Sequence, residues 1–299
     1  MLLRTLGTAA GGGVPQWNCA CPGCTGARRH PDRRRRHDSL AVLSEGAATW
    51  CLVNAGPDTA EQIEAHPELR PGSGQRRTPV VRIILTDAEL DHTLGLLRLR
   101  EAEHLEIFAT RPVREALRER LGLDHVLTPY TTATWRDLPL PGMAPATEVA
   151  GLRISAIPLS TKRPRYACDA PVDDCWVVAV RIEDPGHRTT ALYAPALATW
   201  SDAFEKAVAE ADCVFLDGTF WDNEEPRHTG ISGRTATSMG HLPVAGAEGT
   251  AERLAHVAAR CLYTHLNNTN PLVDPTAPQH AQLAALGLEV AQDGMLISL

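Results

Sequence analysis

The chain has 299 residues, 43% of them hydrophobic and 22% charged, and carries a formal net charge of −7. That length is enough for one large domain or two small ones, and the composition is ordinary for a globular protein with a substantial core. No run approaches the ~18 apolar residues of a membrane span, and the acidic balance argues against nonspecific binding to nucleic acid.

Met1–Gly7 reads as a short apolar strand. The Gly-rich Ala9–Pro15 after it lacks both the GxGxxG spacing of a dinucleotide loop and the Lys-Ser/Thr ending of a nucleotide loop. The opening MLLRTLGTAAGGG has no long apolar stretch, so no secretion signal is expected. Cys19, Cys21 and Cys24 then form C-x-C-x-x-C, with Pro22-Gly23 as the turn that folds the third thiol back on the first two. Three thiolates at that spacing suit Zn²⁺ in a closed, structural four-ligand site. The fourth ligand must come from elsewhere, with His37, Asp38 or a residue near Asn268 as candidates. Eight cysteines in a chain this long do not make a small disulfide scaffold, and a reducing, cytoplasmic setting is expected. The basic run Arg28–His37 (RRHPDRRRRH) reads as a solvated loop.

Leu40–Leu43 and Thr49–Val53 form a predicted hairpin around Glu45-Gly46. A short helix follows over Thr59–His66, capped by Asp58 or Thr59, and then a polar surface loop from Pro67 to Thr78. Val80–Leu85 is an apolar, β-branched strand. Four ionisable side chains come directly after it: Asp87, Glu89, Asp91 and His92. Such crowding at a strand's C-terminal end marks where open α/β sheets place their sites; a helix N-terminus with acids favouring its dipole is the plainer reading. Thr93–Arg100 and Arg111–Leu121 are predicted helices and Leu105–Ala109 a strand. Val149–Leu159 is extended, and Lys162, Arg163 and Arg165 make a basic loop. Trp176–Ile182 and Thr189–Ala194 read as paired strands. Ser201–Ala211 is a helix capped by Ser201 or Asp202, and Cys213–Leu216 a buried strand ending in Asp217. A helix from Ala247 to about Arg260, a strand Cys261–Thr264 ending in His265, a helix Pro278–Leu286 and strands Glu289–Ala291 and Met295–Leu299 complete the order. Cys168 and Cys175 read as surface or packing residues. With no internal repeat and no long linker, residues 1–299 read as a single α/β domain.

The stretches LGTAAGGGVPQWNCACPGC, ILTDAELDHTLGLLRLRE, YAPAL, LDGTFW, MGHL and HLNNTNP resemble the PQQ-biosynthesis protein B family, within the metallo-β-lactamase fold superfamily. The resemblance covers essentially the whole chain and implies a four-layer αββα sandwich. Hydrolases of that fold carry H-x-H-x-D-H in the metal loop. Here Asp87 and Glu89 stand at the first two histidines, Ser160 where a third would follow the Ile154–Leu159 strand, and no carboxylate stands near Tyr193-Ala194-Pro195. Asp91, His92 and His265 survive, which is the two-histidine, one-carboxylate set of non-haem Fe(II) oxygenases, although zinc suits the same ligands.

The resemblance therefore implies an Fe(II)- and O₂-dependent hydroxylase in the biosynthesis of pyrroloquinoline quinone (PQQ) or a related product. Its substrate would be a tyrosine-derived ring of a small, cross-linked Glu–Tyr intermediate. Asp91, His92 and His265 would hold the metal, and Asp87, Glu89, Asp217 and His241 would orient ligands or move a proton. Lys162, Arg163 and Arg165 are candidates for a dicarboxylate substrate, against a solvated loop. A mononuclear zinc hydrolase and a non-catalytic carrier of the pathway product are the alternatives. No nucleic-acid or membrane partner is expected, and a homodimer stays open.

Overall fold

A computed structural model describes residues 1–72, 80–140 and 146–299. The part of the predicted Pro67–Thr78 loop beyond residue 72 lies outside the described residues. Six strands come from the first half of the chain: β1 (Leu2–Gly7), β2 (Ser39–Leu43), β3 (Trp50–Val53), β4 (Val80–Ile84), β5 (His104–Ala109) and β6 (Thr132–Asp137). Seven follow: β7 (Thr147–Val149), β8 (Leu152–Ser160), β9 (Val177–Asp184), β10 (Thr189–Ala194), β11 (Cys213–Asp217), β12 (Arg260–Thr264) and β13 (Glu289–Val290). The last strand, β14 (Leu296–Ser298), returns to pair with β1.

The strands form two seven-stranded sheets, ordered β14-β1-β2-β3-β4-β5-β6 and β13-β12-β11-β10-β9-β8-β7. Each is antiparallel through one half and parallel through the other: β3 to β6 run parallel in the first sheet and β10 to β13 in the second. Strands buried on both faces need apolar side chains throughout, and β3 (WCLV) and β11 (CVFLD) are buried at every position. Between the sheets, Leu3, Val42 and Ile84 meet Val180, Phe215 and Leu262 in one core. On the outer face of the second sheet, Phe204 and Val208 of the helix Asp202–Ala209 and Leu283 of the helix Gln279–Ala285 pack against its strands. On the outer face of the first sheet Leu96, Val113, Leu117 and Leu127 do the same. The architecture is the expected αββα sandwich.

Several local expectations are corrected. The predicted helix from Ala247 to Arg260 is only one turn, Ala251–Leu254. Its alanines favour helix, but Gly249 N bonds back to Gly246 O at 2.9 Å, and Arg260 N is drawn to Asp212 O at 3.0 Å to start β12. Sheet register outweighs propensity there. Thr93–Arg100 is a turn of helix, Leu90–Thr93, running into a 3₁₀ segment, Leu94–Leu99. Arg111–Leu121 starts as a helix and widens at Ala116–Arg120, where Leu121 N bonds Ala116 O.

The basic run Arg28–His37 is not simply solvated. The helix Pro22–Arg29 takes up its start, Arg28 donates to the carbonyls of Cys19 and Gln16 at 2.5 and 2.7 Å, and Arg35 reaches Thr8 Oγ1 and Ala291 O at 2.7 Å each. Its guanidiniums serve as clamps on backbone carbonyls. No helix among the described residues is long and apolar enough to cross a membrane.

Candidate metal centre and active site

The parallel halves of the two sheets end at the same edge of the sandwich, and the crowded residues gather there. After β4 the chain turns through Asp87 into the helical turn that carries Asp91 and His92. After β12, His265 has φ +57°. A non-glycine residue in that region costs about 1 kcal/mol or more and needs support from its surroundings. Leu266 supplies it: its N–H donates to Thr8 O at 2.8 Å and its carbonyl accepts from Ala10 N at 2.9 Å. Behind both ligands the fully buried Asp38 accepts hydrogen bonds from the hydroxyls of Tyr193 and Thr264, tying the start of β2 to β10 and β12.

Asp91 Oδ2 lies 3.7 Å from His92 Nε2 and 3.4 Å from His265 Nε2, and one donor atom from each residue falls within 4.8 Å of the others. Both Nε2 atoms are buried without a hydrogen-bond partner. An unmet buried polar atom costs ~1–3 kcal/mol, so two of them beside a carboxylate fit a site built for a cation.

The opposite ring nitrogens fix the tautomers. His92 Nδ1 lies 2.7 Å from Asp87 Oδ2. His265 Nδ1 lies 2.8 Å from Thr219 Oγ1, which donates to Asp217 Oδ1 at 2.6 Å. With its one proton spent on Asp217, the Thr219 hydroxyl accepts from His265 Nδ1–H. Each imidazole thereby turns Nε2 towards Asp91, as the atom a cation would take in place of a proton. Carboxylate and hydroxyl partners that orient metal-binding histidines in this way also raise their basicity.

The field at the centre is strongly negative. Burial alone would favour neutral His92, but Asp87 and Asp91 outweigh it and push its pKa up to about 10. Burial likewise works against the Asp91 carboxylate, yet His92 and His265 hold it far below the usual range. A site that draws a proton this strongly draws a divalent cation for the same reason.

A cavity of about 810 Å³ opens in front of these atoms. Among the expected site residues it is lined by Asp87, Glu89, Asp91, His92, Lys162, Arg165, His241 and His265. Asp217 is fully buried and does not line it. Asp217 accepts from Leu197 N at 2.8 Å, from Thr219 and from His241 Nδ1 at 2.7 Å, which makes it a positioning residue. Arg163 also departs from expectation, because its guanidinium turns away to donate to Ala170 O at 2.5 Å. Ser160 takes Lys162 N at 3.0 Å and borders a neighbouring cavity instead. His241 stacks on His265 with ring centroids 5.8 Å apart. Burial, with Lys162 and His265 nearby, outweighs Asp217 and keeps its pKa below the ordinary value. It is therefore neutral, with Nδ1 engaged and Nε2 free.

Thr219, Trp17 and His37 are among the cavity residues that sequence reasoning did not place there. Thr219 was readable, since a hydroxyl two residues after a strand-end aspartate often closes an Asx turn, and Thr219 N does bond Asp217 Oδ1 at 2.9 Å. Trp17, 89% exposed at the cavity rim, gave no signal beyond its place in a motif. His37 entered as a candidate zinc ligand; here it lines the cavity with Nδ1 3.1 Å from Asp58 Oδ2.

The three cysteines form a second cluster, with ligand atoms within 4.8 Å of one another. Backbone N–H groups of Gln16, Cys21 and Cys24 point at Cys24, Cys19 and Cys21 sulfurs at 3.2, 3.4 and 3.4 Å, the donors that thiolates accept. Of the three candidate fourth ligands, only Asn268 approaches: its carbonyl is 3.2 Å from Cys21 Sγ and its Nδ2 is 3.2 Å from Cys24 Sγ. Asp38 is taken by Tyr193 and Thr264. Gly23 is required here, because any Cβ would collide with the Asn268 carbonyl.

A family profile described as a beta-lactamase superfamily domain matches residues 49–266. The coenzyme PQQ synthesis protein B of Azoarcus sp. (strain BH72) is 41% identical over 306 aligned residues, covering 100% of both chains. That of Cupriavidus necator is 40% identical, covering 99% of both. Among solved structures, Zn²⁺-bound PqqB from Methylobacterium extorquens superposes with a TM-score of 0.90 at 31% identity over the whole of both chains. A diphosphatase of the PhnP family, 18% identical with a TM-score of 0.69 and covering 100% of this chain and 97% of its own, shares the fold.

Proposed function

The chain belongs to the PQQ synthesis protein B family of the metallo-β-lactamase fold, and on that premise we propose that it is an iron(II)- and O₂-dependent hydroxylase. Its substrate is the tyrosine-derived ring of a small, cross-linked Glu–Tyr intermediate of PQQ synthesis. One observation carries the reading: Asp91, His92 and His265 converge with two unpartnered Nε2 atoms, a two-histidine, one-carboxylate set that leaves coordination positions open. Iron(II) held there would supply the O₂ chemistry that protein side chains lack. Zinc fits the same donors, and the related Methylobacterium extorquens protein is Zn²⁺-bound.

The protein's own groups prepare the site. Asp87 and Thr219 hold the two imidazoles in the tautomer that frees Nε2. His241, neutral and held by Asp217, offers its Nε2 to the cavity as a base for a phenolic or ring proton. Glu89 is kept above the usual carboxylate range by burial, against the pull of Lys162, and is the second group able to exchange a proton with bound substrate. Lys162 and Arg165 meet the carboxylates. Two-metal hydrolysis needs a second set of donors to clamp both oxygens. The other three-residue group, Asp217, His241 and His265, already has its facing atoms bonded to one another through Thr219.

The test is anaerobic purification with metal analysis, then addition of Fe(II) and O₂ with a tyrosine-derived substrate. O₂ uptake that tracks product and disappears in His92→Ala and His265→Ala supports the hydroxylase. Turnover with zinc alone under strict exclusion of O₂ refutes it in favour of hydrolysis, and tight product binding without turnover refutes it in favour of a carrier.

A further inference from the structure

The metal cavity has a neighbour. A second cavity, of about 590 Å³, adjoins it, and the two share Lys162, Met239 and Gly240 as a common wall. The wall is thin because position 240 is glycine: its φ is +91°, and a Cβ there would meet Lys162 Cδ at 2.8 Å. The lysine stem lies across this bare backbone. Its ammonium is 3.9 Å from Glu89 Oε1, close enough to feel the charge and too far for a hydrogen bond.

Beyond the wall the second cavity is more apolar than polar, lined by Leu159, Ala198 and Ala203, and its polar residues include Ser160, Ser238 and Arg234. Asp174 is the one acid at its edge. Arg234 forms no side-chain hydrogen bond or ion pair among the described residues, whereas Arg227 nearby is paired with Glu224 at 3.0 Å. Arg165 lines only the metal cavity, Lys162 both, and Arg234 only the second. Three cations thus run from the metal end into the neighbouring space, in a chain whose net charge is −7. A planar guanidinium with free N–H groups suits a carboxylate.

We propose that the two cavities form one substrate trough, and that Arg234, with Lys162, binds a carboxylate on the part of the substrate farthest from the ring. The inference rests on the reading above that the ring lies at the metal end. The ligand class is an aromatic amino-acid derivative with at least two carboxylates set apart along its length. Arg234 is then a specificity residue remote from the chemistry.

Zinc-loaded protein is titrated calorimetrically with two probes, L-glutamyl-L-tyrosine, which has two carboxylates, and tyramine, which has none. The dipeptide is expected to bind at least tenfold tighter. Arg234→Ala should erase about tenfold of that preference and leave tyramine unchanged, and Arg234→Lys should restore part of it. Wild-type dipeptide affinity in a folded Arg234→Ala protein, equal losses for both probes, or no measurable dipeptide binding overturns the proposal. O₂ uptake is scored separately. Protein that consumes no O₂ but keeps the Arg234-dependent discrimination keeps the trough and loses only the hydroxylase reading.

Discussion

Replacing Asp87 by asparagine is expected to disable the metal centre while sparing the fold. The Asp87 carboxylate accepts three hydrogen bonds and donates none: Thr86 Oγ1 at 2.8 Å and His92 Nδ1 at 2.7 Å on one oxygen, Glu89 N at 2.9 Å on the other. An amide cannot reproduce that pattern. If its oxygen stays on Glu89 N, its NH₂ faces His92 Nδ1, and the ring must move its proton to Nε2, the atom that faces Asp91. If the amide flips, its NH₂ meets the Glu89 N–H, donor against donor. Both outcomes damage the ligand. Groups that orient a metal-binding histidine are worth 10–100-fold in affinity, about 1.4–2.7 kcal/mol, and Asp87→Asn should weaken binding by at least that much.

Cobalt(II) gives the assay. Thiolate-to-metal absorption marks the cysteine cluster, so titration after that band saturates reports the aspartate–histidine site alone. Histidine ¹⁵N shifts report the His92 tautomer directly. Wild-type affinity, together with an Nδ1-protonated His92, would refute the orienting role.

Thr219→Val, nearly isosteric, removes the hydroxyl shared by Asp217 and His265. It should lower metal affinity about tenfold, with Thr219→Ser recovering most of it; equal behaviour of the two variants in the same titration would contradict the tautomer argument. Trp17→Ala should change stability by less than ~0.5 kcal/mol, because the side chain is 89% exposed. It should raise KM for an aromatic substrate about fivefold by losing a ring contact at the rim, and an unchanged KM would remove Trp17 from the binding surface. Glu225 is buried between Trp221 N and Thr269 Oγ1, both at 2.6 Å, and burial lifts its pKa from 4.5 to about 7. Its folded state holds the proton more tightly than the unfolded chain, so its stabilising contribution is full below pH 4.5 and lost as pH rises through about 7. The loss is on the order of 3 kcal/mol. Urea melts of Glu225→Gln should lack that component, and parallel pH profiles for variant and wild type would show that Glu225 does not titrate in this window.

Strand existence was legible wherever β-branched and aromatic residues ran together, as in Val80–Leu85 and Cys213–Leu216, because burial on both faces leaves little choice of residue. Helix ends were less so. The Ala247–Arg260 segment has helical composition, but its backbone is claimed by β12 pairing and by Thr250, whose N–H bonds Pro243 O at 3.0 Å. The placement of Asp91-His92, Asp217 and His265 after buried strands marked them as metal-capable, but grouping Asp91, His92 and His265 came from family resemblance, since Asp91 and His265 are 174 positions apart and no local pattern joins them. Periodicity said nothing about Arg163 turning away while Lys162 and Arg165 face the cavity, because neighbours on an irregular loop have no fixed direction. Nor did any motif point to Arg234, whose relevance comes from a cavity that exists only once the segments near residues 160, 199 and 238 are brought together.

The segment His265-Leu266-Asn267-Asn268 touches both metal-capable sites within four consecutive residues, since Asn268 meets the cysteine sulfurs and His265 belongs to the cluster with Asp91 and His92. Chelation is therefore expected to act on both clusters, because a reagent that strips the thiolates also disturbs Asn268, three residues from His265, and Gln16, whose N–H donates to Cys24 Sγ at 3.2 Å. Activity lost to a chelator and regained only when zinc and iron are supplied together is the expected outcome of that coupling. Reconstitution is expected to succeed in one order, a metal at the sulfurs first and one at the aspartate–histidine cluster afterwards, and equal recovery in either order would contradict the coupling. Preparations judged only by total metal content will confuse the two.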